Sequence, residues 1–195
     1  MPTGKRLVHD DSLYHIVQKG NNGRKLFKDR KDFEIFLFLV RRYLKKFGVE
    51  IYHYCLMTTH LHILLKIFKK EELAKFMQGL LQSYRFYYKK RYGYEGYLYQ
   101  GRYRSKSVSR DEYLLECGRY IERNPVRARI VKTPDEYKWS SCTFYASGLK
   151  NDIITEDPLY GSFGKNAKER QVSYGDYVFT SRPYEEIIDR EFDIA

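Results

Sequence analysis

Cysteine is scarce in this chain. Only Cys55, Cys117 and Cys142 occur among 195 residues. No Cys-x-x-Cys is present and no spacing reads as a disulfide framework, which suits a reducing cytosol and a cytoplasmic protein. No segment approaches the roughly 18 consecutive apolar residues of a membrane span, so no membrane role is expected. Met1 to Asp11 is polar and does not read as a signal peptide. Repeats and low-complexity tracts are also missing. Acidic residues are outnumbered: 25 Asp and Glu face 36 Lys and Arg, for a net charge of +11. That excess points to a polyanionic partner, although a basic protein without one is the plainer alternative.

Aromatic residues, by contrast, are abundant. Twenty tyrosines and twelve phenylalanines accompany the positive charge. Rings stack on unpaired bases while cations meet phosphates, so the combination suits single-stranded nucleic acid; most of these rings are also expected to serve the core. With 43% apolar residues the chain is not disordered, and its length allows one core plus an appendage.

Leu13 to Lys19 alternates as a strand, and Gly20-Asn21-Asn22-Gly23 ends it. Asp29 caps a helix predicted over Arg30 to Phe47, with Gly48 as its stop. Glu50 to Met57 and His60 to Phe68 read as an antiparallel hairpin turning at Thr58-Thr59. Leu73, Phe76, Met77, Leu80, Leu81 and Tyr84 give a helix over Glu71 to Tyr92 its apolar stripe. A strand over Tyr103 to Ser109 and a helix over Arg110 to Arg123 follow. Asn124-Pro125 is expected to end that helix, because the residue before proline disfavours the helical region. The order fits an α+β sheet with helices packed on it. Signals weaken after Thr133, so residues 1–133 read as the main domain and 134–195 as an extension of open role.

Two places carry chemistry. His60 and His62 are two apart on a predicted strand, so both imidazoles leave the same face while Leu61, Ile63 and Leu65 leave the other. Such a pair is half of a metal site, although His-x-His also arises by chance. Tyr120 and Asn124 are one helical turn apart, so one helix can deliver a phenol nucleophile and an amide ligand together. The bland alternative is a packed tyrosine and an ordinary helix end. Tyr103 and Tyr113 are rival nucleophiles, Tyr113 lying about 10 Å from Tyr120 along the axis. His53 is a candidate third imidazole but reads as structural, Glu116 and Glu122 are either bases or a solvated helix face, and His9 and His15 show no partner.

Three segments occur in order: Tyr54-Cys55-Leu56-Met57-Thr58-Thr59-His60-Leu61-His62, Tyr99-Gln100-Gly101-Arg102-Tyr103, and Arg119-Tyr120-Ile121-Glu122-Arg123-Asn124-Pro125-Val126-Arg127-Ala128. Together they resemble the single-tyrosine HUH transposases, in particular the REP-associated tyrosine transposase branch, from about Leu13 to Val131. Thr58-Thr59 departs from the Pro-Asn that many relatives carry, and Tyr99-Gln100 stands for their Trp-Gln.

The resemblance implies a ferredoxin-like antiparallel sheet, Tyr120 as nucleophile, and Mg²⁺ or Mn²⁺ held by His60, His62 and Asn124. It further implies a metal-dependent single-stranded DNA endonuclease and strand transferase that forms a 5′-phosphotyrosine on hairpin or repeat DNA. The cations Arg85, Lys89, Lys90, Arg91, Arg102, Arg104 and Lys106 are the expected DNA contacts, a solvated face being the alternative. A non-catalytic hairpin-DNA-binding regulator, or a replication-initiator or relaxase relative, would share the same fold. Monomer and homodimer are both open.

Overall fold

The computed structural model describes residues 7–108, 111–182 and 185, with backbone alone at 111 and 112. Four strands, β1 (Ser12–Lys19), β2 (Val49–Leu56), β3 (His60–Ile67) and β4 (Arg104–Val108), form one sheet in the order β2-β3-β1-β4. Every neighbouring pair is antiparallel, as the ferredoxin-like expectation requires. The predicted boundaries Ser109 and Arg110 lie outside the described residues.

Two helices cover one face: α1 (Arg30–Leu44) and α2 (Lys70–Tyr92). Their buried Phe36, Val40, Phe76, Met77 and Leu80 meet Ile16, Leu61, Ile63 and Leu65 from the sheet in one apolar cluster. Asp29 caps α1 as expected, accepting from the amides of Lys31 and Asp32. α1 stops at Leu44, one turn short of the predicted Phe47. Gly93 ends α2 in a left-handed conformation at φ 62°, which glycine adopts without strain.

The other face of the sheet carries α3 (Asp111–Arg127). Val17, Cys55 and Leu64 from the sheet pack there against Leu114, Cys117, Tyr120 and Ile121. Contrary to expectation, α3 does not end at Asn124 but runs through Pro125. Proline has no N–H to give the carbonyl of Ile121. The Asn124 side-chain amide donates to that carbonyl at 3.3 Å and to the Tyr120 carbonyl at 2.9 Å, which offsets the loss.

Beyond Thr133 the chain forms α4 (Cys142–Ser147) and α5 (Ala167–Phe179), which pack on α3 and β2. A ladder of arginines on α3 holds this segment. Arg119 bonds Glu116, Glu185 and the Thr180 carbonyl. Arg123 bonds Glu185 and the Val178 and Phe179 carbonyls at the C-terminus of α5, where a cation is favoured.

Candidate active site

His60 and His62 leave β3 toward α3, as their alternation predicts. Both are neighbours in space, with ring centroids 5.1 Å apart at 83°. Tyr120 meets His62 from α3, its ring standing edge-on at 5.6 Å. Three residues separated by up to sixty positions in the chain therefore converge because β3 and α3 pack face to face.

His15, for which the sequence suggested no partner, belongs to this cluster. It sits on β1, where Val17 pairs with His62, so His15 is a diagonal neighbour of His62 on the same face. Its Nε2 lies 3.0 Å from His62 Nδ1, and its ring stands 5.9 Å from that of Tyr120. Only the register between β1 and β3 reveals this contact. Arg127, two turns beyond Tyr120, places its guanidinium 5.2 Å from the Tyr120 ring centroid. Sequence alone assigns Arg127 no role, although its i+7 spacing puts it on the Tyr120 face of the helix.

The electrostatics favour neutral imidazoles. Burial, with the Lys19 charge nearby, pushes the His60 pKa down to about 4. Burial pushes His62 well below its usual range, helped by His60, His15, Arg127 and Lys19. Neutral rings keep one lone pair each. Thr59 Oγ1 lies 3.1 Å from His60 Nδ1, and His15 engages His62 Nδ1, so the Nδ1 atoms are occupied. The Nε2 atoms of His60 and His62 are buried with no hydrogen-bond partner. Two orphaned buried nitrogens on neighbouring rings are what a divalent cation would satisfy, and the residues fit one. Among the described residues no three His, Cys, Asp or Glu side chains are placed to hold a metal. The Asn124 amide nitrogen is turned to the helix carbonyls, which leaves its Oδ1 as the atom an amide offers a cation.

The other expected site residues are spread more widely. Tyr103 precedes β4 and is buried in the α1–α2 core, not on a strand. Glu116 and Glu122 are buried, so the expected solvated face is wrong for both. Glu122 accepts from Ser141 and Tyr174 and engages His53. Arg91 turns inward onto Asp29 and Asp32, pinning the end of α2 to the start of α1. Lys89 pairs with Glu95 at the surface. Arg85, Lys89 and Lys90 are exposed along α2, and Arg102 and Arg104 are exposed around the start of β4, where Lys106 is half-buried.

The fold is a ferredoxin-like sheet that presents a histidine pair to a helix-borne tyrosine. The family described as IS200-like transposases matches residues 9–124, and the chain belongs to it. Among solved structures, a REP-associated tyrosine transposase bound to a REP hairpin superposes with a TM-score of 0.65 at 14% identity, covering 80% of this chain and 93% of that one. A structure described as a transposase from Deinococcus radiodurans gives a TM-score of 0.43 at 17% identity, over 67% of this chain and 92% of that one. No curated protein matches this chain closely enough to add to these.

Proposed function

We propose that the chain is a single-stranded DNA endonuclease and strand transferase acting on hairpin or repeat DNA, with Tyr120 as nucleophile. The observation that carries this is the meeting of Tyr120 with His62, whose buried Nε2, like that of the neighbouring His60, lacks a partner. The similarly folded transposase bound to a REP hairpin supports hairpin DNA as the substrate class.

His60 and His62, with the Asn124 Oδ1, would hold a divalent ion, which when bound supplies Lewis-acid polarisation of the scissile phosphate. Two imidazoles favour Mn²⁺ over Mg²⁺, which prefers an all-oxygen set. The chain's own groups do the rest. Thr59 and His15 fix the two imidazoles in ring orientation and tautomer. Arg127 and Lys19 add positive charge where the phosphate comes to rest.

Tyr120 Oη attacks phosphorus: the P–Oη bond forms, the P–O3′ bond breaks, and the phenolic proton ends on the departing 3′-oxygen. The product is a 5′-phosphotyrosine and a free 3′-hydroxyl. Reversal by another 3′-hydroxyl joins strands without ATP. Because Tyr120 is fully buried, DNA entry has to uncover it. Residues 1–133 carry the catalysis in this reading, and the described part of the extension braces α3 through Tyr174, Tyr177, Arg182 and Glu185. The test is a covalent band on denaturing gels with labelled single-stranded DNA and Mn²⁺, mapped to Tyr120 by mass spectrometry. An adduct that persists in Tyr120→Phe, or maps to Tyr103 or Tyr113, overturns the assignment; so does a wild-type protein that binds hairpins without any adduct.

A further inference from the structure

The Tyr99-Gln100-Gly101-Arg102-Tyr103 motif has no part in the chemistry above. In the fold it is sewn onto the end of β1: Gly20 bridges to Tyr99, the Gln100 amide donates to the Lys19 carbonyl, and the Asn21 amide donates to the Leu98 carbonyl. The Tyr99 hydroxyl reaches across to the Leu81 carbonyl on α2 at 3.0 Å, so the ring is fastened at both ends. Between this loop and α2 lies a cavity of about 440 Å³, lined among others by Gln18, Gln78, Gln82, Arg85, Tyr99 and Arg102. Arg85, Tyr99, Gly101 and Arg102 also line an adjoining cavity of about 450 Å³ that extends past the exposed Tyr97, so the two form one groove. The first is the size of pockets that hold small organic molecules, about 300–1,000 Å³. Among the described residues, no carboxylate lines either cavity.

Gln18 lines the groove with an unpaired polar atom. The side chain is 1% exposed, and its Nε2 donates to the Lys19 carbonyl at 3.0 Å. Its Oε1 is buried with no hydrogen-bond partner. A buried acceptor left unpaired against a pocket asks for a donor from outside. Position supplies the rest. Gln18 and Lys19 are consecutive on β1, so their side chains leave opposite faces of the sheet. Lys19 pairs with His60 in register, on the side of the histidine cluster. The pocket and the phosphate-binding side thus back onto the same two residues.

We propose that this groove reads one unpaired base of the strand being cut. The base lies against Tyr99 and offers an N–H to Gln18 Oε1, while Arg85 and Arg102 hold the flanking phosphates. Gln18 offers the groove an unpaired acceptor, Oε1, while its Nε2 is engaged by the Lys19 carbonyl. It therefore favours a base with an exocyclic amino group over thymine, whose one N–H is flanked by two carbonyl oxygens. This rests on the strand-cutting reading above for the identity of the ligand.

Binding without metal tests it separately from cleavage. Fluorescent dA, dC and dT decamers are titrated by anisotropy. The wild type is expected to prefer dA or dC to dT at least fivefold. Gln18→Met should erase that preference while dT affinity holds. Arg102→Ala should weaken all three alike, with a shallower salt dependence. Should Gln18→Met not fold, photocrosslinking of 5-iododeoxycytidine decamers to the wild type decides, with Tyr99 or Tyr97 the expected site. Equal binding of the decamers by wild type, a preference surviving in Gln18→Met, or crosslinks confined to Tyr87–Tyr92 would overturn the pocket. A Tyr120 adduct without base preference removes only the pocket; a preference without an adduct removes only the strand-cutting reading.

Discussion

His53 is the residue whose perturbation the structure makes most quantitative. Its Nδ1 lies 2.8 Å from Glu122 and its Nε2 3.1 Å from Asp157, with all three side chains essentially buried. Both ring nitrogens facing carboxylates means both donate, so the ring is an imidazolium. Burial opposes that charge, but the hydrogen bonds to Asp157 and Glu122 outweigh it and raise the pKa from 6.5 to about 9. A folded pKa above the unfolded one gives stability that is complete below about pH 6.5 and lost as pH rises through about 9. The difference corresponds to roughly 3 kcal/mol. The ring joins β2 to α3 and to the segment before α5, and Glu122 extends the network to Ser141 and Tyr174.

Urea unfolding of wild type and His53→Gln should be followed from pH 6 to 10. At pH 7 the variant should be less stable by about 3–5 kcal/mol, because two buried carboxylates lose their counter-charge. The gap should narrow by roughly 3 kcal/mol toward pH 10, as the wild type loses its proton. Groups common to both proteins cancel in the difference. Parallel curves over this range would refute the imidazolium.

Four further outcomes follow from named contacts. Gly118→Ala should destabilise strongly, since its Cβ would come within 2.7 Å of the His53 ring; a melting temperature within a degree of wild type would contradict this packing. His62→Ala should remove Mn²⁺ binding by calorimetry and all adduct formation, with DNA affinity in metal-free buffer kept. His15→Ala is expected to weaken Mn²⁺ binding 10–100-fold, the usual loss for a group that orients a metal-bound histidine, and unchanged affinity would deny His15 that role. Arg91→Ala should lower stability by unpairing the buried Asp32, yet leave the salt dependence of DNA binding alone; a slope that falls by about 0.7 would make Arg91 a phosphate contact after all.

Much of the molecule is legible in its residues. The alternation of Leu61, Ile63 and Leu65 against His60 and His62 already assigns the imidazoles to one face. Asp29 and Gly93 mark helix ends through local side-chain and backbone chemistry alone. The i, i+4 relation of Tyr120 and Asn124 holds for any α-helix. Where expectation failed, a distant partner intervened. Pro125 was expected to stop α3, but Asn124 covers the carbonyl that proline abandons and the arginine ladder holds the helix from outside. Arg91 and Glu122 looked like surface charge because their partners lie far away in the chain; Glu116 has Arg119 beside it, but Tyr177 and Arg182, which also bond it, are equally distant.

Local sequence determined the period of each element, its caps, the paired histidines and the excess of positive charge, because these depend on neighbours within a few residues. Tertiary structure alone decided which faces meet. The register of β1 on β3 brings His15 to His62. A bulge in β2 between Ile51 and His53 changes the alternation, so His53 turns from the α1–α2 side toward α3 and Glu122. The closing of the Tyr99–Tyr103 loop on α2 leaves Gln18 lining a cavity with its Oε1 unpaired. Each depends on a one-residue choice of pairing between distant strands, and a period-two pattern is the same on either side of that choice.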